Sequence, residues 1–378
     1  MVVNVVFAVA LFATLLKNEA ENTELDGFRF LGRAVKIFQS SEEWPFGREP
    51  QLARMSDGSL FCAIFSGGKQ EPSPANCVIA VRSYDDGRTW TKPERIIGDP
   101  KFACWATELF TFGAEPELVF QTYYATRTYA ELRPFRVKLG KDGKGPFDGV
   151  SFHGVPPNFS VRQGKVLSDG TWIFPVYWLE NTGRWTASLG YPEKGGVDWS
   201  NWDWKKWHYC SGVIRSTDSG KTWSVHGVVG DGATRNVWEP CVIELEPGHV
   251  RMWLRAGGGL WFSDSRDYGL TWTKIEKSDI PNPDTKPMVL RHRNDIILVN
   301  NVTGKGFNDR RRLELWVSHD FCRTWMKYVA AEKADGGEAF LCYPSGFLDD
   351  AKSILYLAVD SCSRHYMTKI PYVTIGLK

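Results

Sequence analysis

The chain has 378 residues, of which 43% are hydrophobic and 24% are charged. This balance is that of a folded globular protein and excludes a disordered chain, a coiled coil and collagen. The formal net charge is +2, with no basic run apart from the arginine triplet at 310–312, so the sequence favours neither a nucleic-acid partner nor a membrane surface. The number of tryptophans, 17, is high for a chain of this length.

The first predicted element is an apolar segment at residues 2–16, which is interrupted only by Asn4 and Thr14. About 15 apolar residues are too few to span a bilayer comfortably and are typical of a signal-peptide core. No Lys or Arg precedes the segment, so a buried first strand is the alternative. We expect residues 1–25 to be a signal peptide or N-terminal segment and 26–378 to be a single domain. The protein would then be secreted or periplasmic, with a cytoplasmic location as the alternative.

The eight cysteines contain no CxxC pair and do not cluster with the seven histidines. The sequence therefore predicts no metal site and no cofactor. Cys62 with Cys77, and Cys342 with Cys362, could bridge neighbouring strands. Eight buried free thiols are equally compatible with the spacing, so the cysteines leave the redox compartment open.

An eight-residue pattern, Ser-x-Asp-x-Gly-x-Thr-Trp, recurs four times, and the last copy has Cys322 in place of the glycine. Its aspartates are Asp85, Asp218, Asp267 and Asp320. In such a segment the Asp and Ser/Thr side chains can bond nearby backbone N–H groups, the Gly permits a positive φ, and the Trp packs beneath the turn. We therefore interpret the four aspartates as structural parts of a turn and not as catalytic groups.

The spacing of these turns predicts the fold. Asp218, Asp267 and Asp320 are 49 and 53 residues apart, which is the period of a four-stranded propeller blade. Short β-rich runs fill the intervals, and no helical periodicity competes with them. We predict an all-β, six-bladed β-propeller of four-stranded antiparallel blades that begin near residues 50, 105, 163, 237, 285 and 341. A strand near residues 34–38 should close the ring against residues 369–375 and so remove exposed sheet edges.

The repeated turn, in a ring of about six blades, resembles the Asp-box or BNR repeat of the sialidase (neuraminidase) superfamily. The resemblance covers roughly residues 45 to 370. It also includes individual residues that match motifs of the family. Sialidases hold the substrate carboxylate with three arginines, and the segment Arg48-Glu-Pro-Gln-Leu52 is similar to the motif around the first. Glu239 followed by Arg255 is similar, in order and spacing, to the glutamate and the second arginine.

The third arginine of sialidases lies eight residues before the serine of the following turn. Counting back from Ser318 gives Arg310, with Arg311 and Arg312 close enough to exchange roles with it. The tyrosine nucleophile of the family lies in a last-blade strand, where Tyr343 stands in this chain. The resemblance thus implies Tyr343 and Glu239 as catalytic residues and Arg48, Arg255 and Arg310 or Arg312 as substrate ligands.

Chemistry explains why these residue types belong together. Sialic acid carries a carboxylate on its anomeric carbon, which would repel a carboxylate nucleophile but not a tyrosine activated by a glutamate. Arginine forks bind a carboxylate bidentately and stay charged at any working pH. The acid/base Asp of sialidases has no counterpart in the loop at residues 66–76, where Glu71 is the only acid. Glu71 is therefore the candidate general acid.

A tryptophan-rich stretch at residues 198–208 lies in the enlarged third blade. Trp202 and Trp204 in this stretch could form a stacking platform for sugar rings, and a satellite core covering an insertion is the alternative.

The leading interpretation is an exo-acting sialidase-like glycosidase that removes a terminal acidic sugar. A polysaccharide lyase acting on uronate chains is the first alternative, because elimination also needs cations at a carboxylate and a Tyr or His base. His153 or His208 would be the additional base. A non-catalytic carbohydrate-binding propeller is the second alternative. The expected partner is an acidic glycan, and the sequence leaves the oligomeric state open.

Overall fold

The computed structural model describes residues 22–124, 130–140, 149–156, 158–181, 207–229, 236–302 and 309–377. Over these ranges the chain forms β-strands, and a 3-10 turn at Tyr372–Ile375 is its one helical element. None of the described helical structure is long and apolar enough to cross a membrane. Residues 1–21 of the predicted N-terminal segment, and both Trp202 and Trp204, lie outside the described residues.

The strands form six antiparallel sheets arranged as the blades of a propeller. Ahead of the blades lie β1 (Thr23–Leu25), β2 (Phe28–Phe30) and β3 (Arg33–Gln39). Blade 1 contains β4 (Gly47–Arg54), β5 (Leu60–Ser66), β6 (Cys77–Ser83) and β7 (Glu94–Ile97). Blade 2 contains β8 (Ala103–Phe110), β9 (Glu117–Tyr124), β10 (Ala130–Lys138) and β11 (Val150–Ser151). Blade 3 contains β12 (Ser160–Val161), β13 (Lys165–Val166), β14 (Trp172–Asn181), β15 (Trp207–Ser216) and β16 (Ser224–Val229).

The second half of the ring continues in the same way. Blade 4 contains β17 (Trp238–Glu246), β18 (His249–Arg255), β19 (Trp261–Ser265) and β20 (Glu276–Lys277). Blade 5 contains β21 (Met288–His292), β22 (Asp295–Asn301), β23 (Arg312–Ser318) and β24 (Met326–Lys333). Blade 6 contains β25 (Cys342–Asp349), β26 (Ile354–Asp360) and β27 (Arg364–Pro371), and β3 is its fourth strand. The innermost strands begin within about three residues of the predicted blade starts, and the predicted all-β six-bladed propeller is confirmed.

The second strand of a blade is buried on both faces, because each blade is covered by a neighbour on either side. In β5 and β26 every residue is buried, and the sequence there reads as a continuous apolar run instead of an alternating one. The hydrophobic core is accordingly divided into clusters that lie between adjacent blades. The outermost strands, such as β7, expose their first residues to solvent.

The N-terminal strands close the ring. β3 pairs with β27, with Phe38 opposite His365 and Ala34 opposite Thr368, so the predicted closure is confirmed. The C-terminal strand lies earlier than predicted and ends at Pro371, because proline has no N–H group with which to continue the ladder. β1 and β2 were not predicted as strands, and they extend the edge of blade 5, where Phe30 pairs with Ala331.

The four repeated turns share one hydrogen-bond pattern. Each aspartate accepts hydrogen bonds from the hydroxyl of the threonine four residues later, at 2.5–2.6 Å, and from the backbone N–H of that threonine, at 2.8–2.9 Å. The fifth position has positive φ in every copy, including 68° at Cys322. Hydrogen bonds from Thr89 lower the pKa of Asp85 to about 2. The carboxylates are thus used within their own turns, as the structural interpretation expects.

All eight cysteines are free thiols. Cys62 lies opposite Val81, whereas Cys77 lies opposite Ser66 at the far end of the same strand pair. The two thiols are therefore out of register, which agrees with the alternative of free buried cysteines.

Candidate active site

Three of the predicted site strands begin with the same local distortion. Glu49, Glu239 and Tyr343 have φ values of 47°, 42° and 47° and each precedes a proline. The ladder of each strand shifts register at this point. Such a bulge turns the extra residue out of the ladder, and the following proline requires no ladder partner. Because positive φ is costly for a residue other than glycine, its repetition in three blades makes this centre the candidate site.

Tyr343 lies at the centre of a group of cations. Its hydroxyl is 3.4 Å from Nη1 of Arg255, and the guanidinium carbon of Arg48 lies 5.1 Å from its ring centroid. Arg310 and Lys286 lie at 5.7 Å and 5.5 Å from the same centroid. Burial, and secondly the Glu239 carboxylate, raise the pKa of Tyr343, so its phenol is protonated at neutral pH.

Glu239 is held between two arginines. Its Oε2 atom accepts a hydrogen bond from Nη1 of Arg255, and its Oε1 atom lies 3.3 Å from Nη2 of Arg162. Burial alone would raise the pKa of Glu239, but the charges of Arg255, Arg162 and Lys286 outweigh burial and lower it. Glu239 is therefore a carboxylate at neutral pH, next to the guanidinium group that also contacts Tyr343.

The predicted substrate arginines are fixed by acidic partners. Nε of Arg48 lies 2.7 Å from Oδ2 of Asp360. Nε of Arg255 lies 3.0 Å from Oδ1 of Asp284, and its guanidinium carbon lies 3.8 Å from the ring centroid of Trp238. Such contacts on several sides hold each guanidinium group in one orientation.

Only one residue of the arginine triplet reaches the centre. Arg310 is fully buried, and its Nη2 atom donates to the backbone carbonyl of Asp284 at 3.2 Å. Arg312 instead pairs with Glu314 and Glu332 on the outer side of blade 5, because it lies opposite Glu332 in the pairing of β23 with β24. The expectation that Arg312 could replace Arg310 is therefore corrected.

Three further charged residues that the sequence reasoning missed complete the centre. Arg162 is fully buried, with Nη1 at 2.9 Å from Glu49 and Nη2 at 3.0 Å from the Tyr177 hydroxyl. Nζ of Lys286 lies 3.7 Å from the same Glu49 carboxylate. Glu49 and Lys286 each precede a proline at the start of an inner strand, a repeated signal that could have revealed both. Arg162 is followed by Gln163 and lacks this signal.

A cavity of about 300 Å³ lies beside this centre. Arg48, Glu239, Arg255 and Tyr343 line it, and Glu71 lies on its wall. The remaining wall is largely aromatic and comprises Trp105, Tyr177, Trp178, Tyr209 and Trp238. The rings of Tyr209 and Trp238 are stacked with their centroids 4.8 Å apart. The structure thus brings the predicted catalytic residues together with two of the predicted arginines, while Arg310 lies behind Tyr343.

Of the two histidines proposed for a lyase, His153 is not part of this arrangement. His153 lies beside the repeated turn of blade 3, where its carbonyl accepts a hydrogen bond from Trp223 N–H at 3.0 Å, and it does not line the cavity. The side chain of His208 lies outside the described residues. Within the described ranges no group of three His, Cys, Asp or Glu side chains could hold a metal ion.

Comparison with known proteins places the chain in a family. Residues 154–354 match the BNR repeat-like domain. A sialidase of Bacteroides fragilis is 28% identical over 125 residues, which are 32% of this chain and only 18% of that protein. Hadza microbial sialidase Hz136 has a similar structure, with a TM-score of 0.70 and 16% identity over 91% of this chain and 69% of that one.

A second similar structure is that of Trypanosoma rangeli sialidase in complex with sialic acid, with a TM-score of 0.65 and 16% identity. The match covers 93% of this chain and 60% of the Trypanosoma chain. At such identities the two structures show a common fold. Because the family match covers more than half of the sequence, the chain belongs to the BNR repeat-like family, and its six-bladed propeller is similar in fold to these two sialidases.

Proposed function

We propose that the protein is a sialidase-type glycosidase that removes a terminal acidic sugar from a glycan. The observation that supports this proposal is that Nη1 of Arg255 contacts both the Tyr343 hydroxyl and the buried Glu239 carboxylate, and that all three residues line one cavity. Tyrosine is the nucleophile suited to a substrate whose anomeric carbon carries a carboxylate.

In this proposal Arg48 and Arg255 bind the substrate carboxylate from the cavity wall, and Arg310 adds positive charge from behind Tyr343. The acidic partners of these arginines hold the guanidinium groups in place before substrate arrives, so that little reorganisation is needed. The aromatic wall supplies faces on which the apolar side of a sugar ring can stack. A volume of about 300 Å³ suits one sugar unit, which favours an exo-acting enzyme.

The proposed reaction is a double displacement. The Tyr343 oxygen attacks the anomeric carbon and passes its proton to Glu239, while the bond from that carbon to the glycosidic oxygen breaks. Glu71 donates a proton to the departing oxygen. Water then attacks the anomeric carbon and gives one proton to Glu71, while the bond from that carbon to the Tyr343 oxygen breaks. The sugar is released as the proton on Glu239 returns to the Tyr343 oxygen.

The raised pKa of Tyr343 affects the first step. Because the phenol is protonated at rest, its proton must leave as the new bond forms, and a free phenolate is not the resting state. Nη1 of Arg255 lies 3.4 Å from the phenol oxygen and stabilises the negative charge that develops there.

The proposal is tested by assaying release of acidic sugars from a panel of sialosides and other acidic glycans. We expect Tyr343→Phe to lower kcat at least about 10²-fold, since it removes the attacking oxygen and leaves the ring in place. Tyr84→Phe is the matched control, because Tyr84 is 62% exposed in the turn of blade 1. Full activity of Tyr343→Phe would exclude Tyr343 as the nucleophile.

A uronate lyase is the second candidate, and the loop after β5 favours it. That loop offers Glu71 as its one acid, whereas elimination needs only cations at the carboxylate and a base such as Tyr343. Since His153 lies away from the cavity, Tyr343 would be the base. A lyase releases an unsaturated uronate with ultraviolet absorbance, whereas a hydrolase releases a saturated acid. Binding of a glycan without either product would indicate a non-catalytic propeller.

A further inference from the structure

The propeller axis carries a second and larger cavity, of about 440 Å³, at the far ends of the inner strands. We call it the lower cavity and define it by Glu108, Gln163, Lys165, Arg291 and Phe347, with their neighbours on the same strands. β25 runs from Tyr343 at the candidate active site to Phe347 at the lower cavity, a distance of about 13 Å at about 3.3 Å per residue.

Charged residues separate the two cavities. Arg162 and Lys286 lie between them and line a small intervening space of about 20 Å³. Both residues are paired with Glu49, as described above. The lower cavity and the cavity of the candidate active site thus share no lining residue.

Among the described residues, the polar groups of the lower cavity are not fully partnered. The side-chain oxygen of Gln163 is buried and has no hydrogen-bond partner. Lys165 forms no ion pair with any residue that the structure describes. Burial lowers the pKa of Lys165, and the nearby Glu108 only partly offsets this effect. Arg291 donates to the backbone carbonyls of Glu244 and Arg293, both at 2.6 Å, and not to a described carboxylate.

The acidic groups of the same cavity balance these cations only in part. The Glu244 carboxylate is occupied by the Ser168 hydroxyl at 2.8 Å and by the N–H groups of Ser168 and Gly248 at 2.7 and 2.9 Å. Burial raises the pKa of Glu108 to about 7, so this carboxyl group is partly neutral at neutral pH. The lower cavity therefore presents two cations that an anion could approach.

The walls are apolar and aromatic. The rings of Phe110 and Phe112 are stacked with centroids 4.7 Å apart, and Phe347 and Leu290 contribute to the lining. A ligand that satisfies both parts of the cavity has an anionic group for the cations and a ring or apolar body for the walls. A carboxylate fits the fork of an arginine and accepts hydrogen bonds from lysine.

We propose that the lower cavity is a second ligand site, which binds a small ring compound carrying a carboxylate through Lys165 and Arg291. An acidic monosaccharide and an aromatic acid share this chemistry, and the test below distinguishes them. The inference does not depend on the proposed glycosidase activity, because it uses none of the residues of the candidate active site.

The test titrates the full chain with glucuronate, N-acetylneuraminate and benzoate, and with glucose as the neutral control. It uses isothermal titration calorimetry on a chain that carries Arg48→Met, which weakens binding at the candidate active site. We expect at least one acid to bind, and Lys165→Met to lower its affinity at least about tenfold, with Lys165→Arg retaining most of it. Lys92→Met is the matched surface control, because Lys92 is exposed.

A second measurement locates the ligand. Acetylation of Lys165, followed by mass spectrometry, should slow at least severalfold in the presence of the bound acid, while acetylation of Lys92 should not change. Preference for benzoate would identify an aromatic acid, and preference for a sugar acid would identify an acidic saccharide. Failure of all three acids to bind, or unchanged affinity in folded Lys165→Met and Arg291→Met variants, would overturn the proposal.

Discussion

Glu108 provides the sharpest test of the electrostatics of the propeller axis. It is only 9% exposed, lies in β8 of blade 2, and forms no ion pair with any described residue. Burial raises its pKa from an ordinary 4.5 to about 7, against the opposing effects of Lys165 and Lys286. The folded protein therefore binds a proton at this position that the unfolded chain releases at a lower pH.

The magnitude follows from that difference. A pKa raised from 4.5 to about 7 corresponds to about 3 kcal/mol at about 1.4 kcal/mol per pH unit. Below pH 4.5 the carboxyl group is protonated in both states and costs no stability. As the pH rises through 7, the folded protein must hold a buried carboxylate, and the free energy of unfolding falls by this amount. Glu108→Gln removes the titrating group and keeps the shape of the side chain.

We expect wild type and Glu108→Gln to have similar stability near pH 4.5. At pH 8 the variant should gain about 3 kcal/mol relative to wild type, or roughly 4 °C in Tm for a chain of this size. Thermal and urea unfolding from pH 4.5 to 8 measure the difference, and Glu115→Gln is the exposed control, whose one ion pair with the described residues is to Lys138. A difference that does not change with pH, or a variant less stable than wild type at pH 8, would refute the reasoning.

Three other predictions concern charged side chains held by hydrogen bonds or ion pairs. Arg162→Met should lower the free energy of unfolding by about 3–5 kcal/mol, because it removes the nearer of the two cations that pair with buried Glu49. Urea unfolding should show part of this loss recovered when Glu49→Gln is added. Asp267→Ala should cost about 1–2 kcal/mol through the lost bonds of its turn. Since bonding within the turn holds the pKa of Asp267 at about 2, the difference from wild type in thermal unfolding should vanish as the pH falls from 4 to 2. Asp360→Asn should raise KM for an acidic substrate more than it lowers kcat, because Arg48 loses the partner that orients it; an unchanged KM would argue against this positioning role.

The fold could be predicted because its signal is periodic and local. Each repeated turn is stabilised by its own side chains, as the bonds between Asp218 and Thr222 show, so one short pattern marks the same point in successive blades. The N-terminal strands β1 and β2 escaped prediction because nothing in three-residue strands is periodic. Their place on blade 5 depends on the burial of Phe28 and Phe30 against Tyr366, a contact that is distant in sequence.

The candidate site was predictable only in part, because only some of its residues lie on local sequence motifs. Arg48, Glu239 and Tyr343 lie on motifs that resemble those of a known family, and the structure brings them together. Arg162 lies in the long interval between the first and second repeated turns. Its importance follows from two carboxylates supplied by other blades. Contacts across the axis join residues more than 70 positions apart, which no local pattern encodes.

The charge balance of the centre connects the missed residues to the proposed chemistry. The carboxylates of Glu49 and Glu239 are matched in the ring by the cations of Arg162 and Lys286. Arg255 and Arg48 form further ion pairs with Asp284 and Asp360. Both guanidinium groups also contact Tyr343, and buried Arg310 lies 5.7 Å from the same ring centroid. Under the proposed function this centre would favour a substrate that carries a carboxylate, because that group would approach arginines that are already held in place.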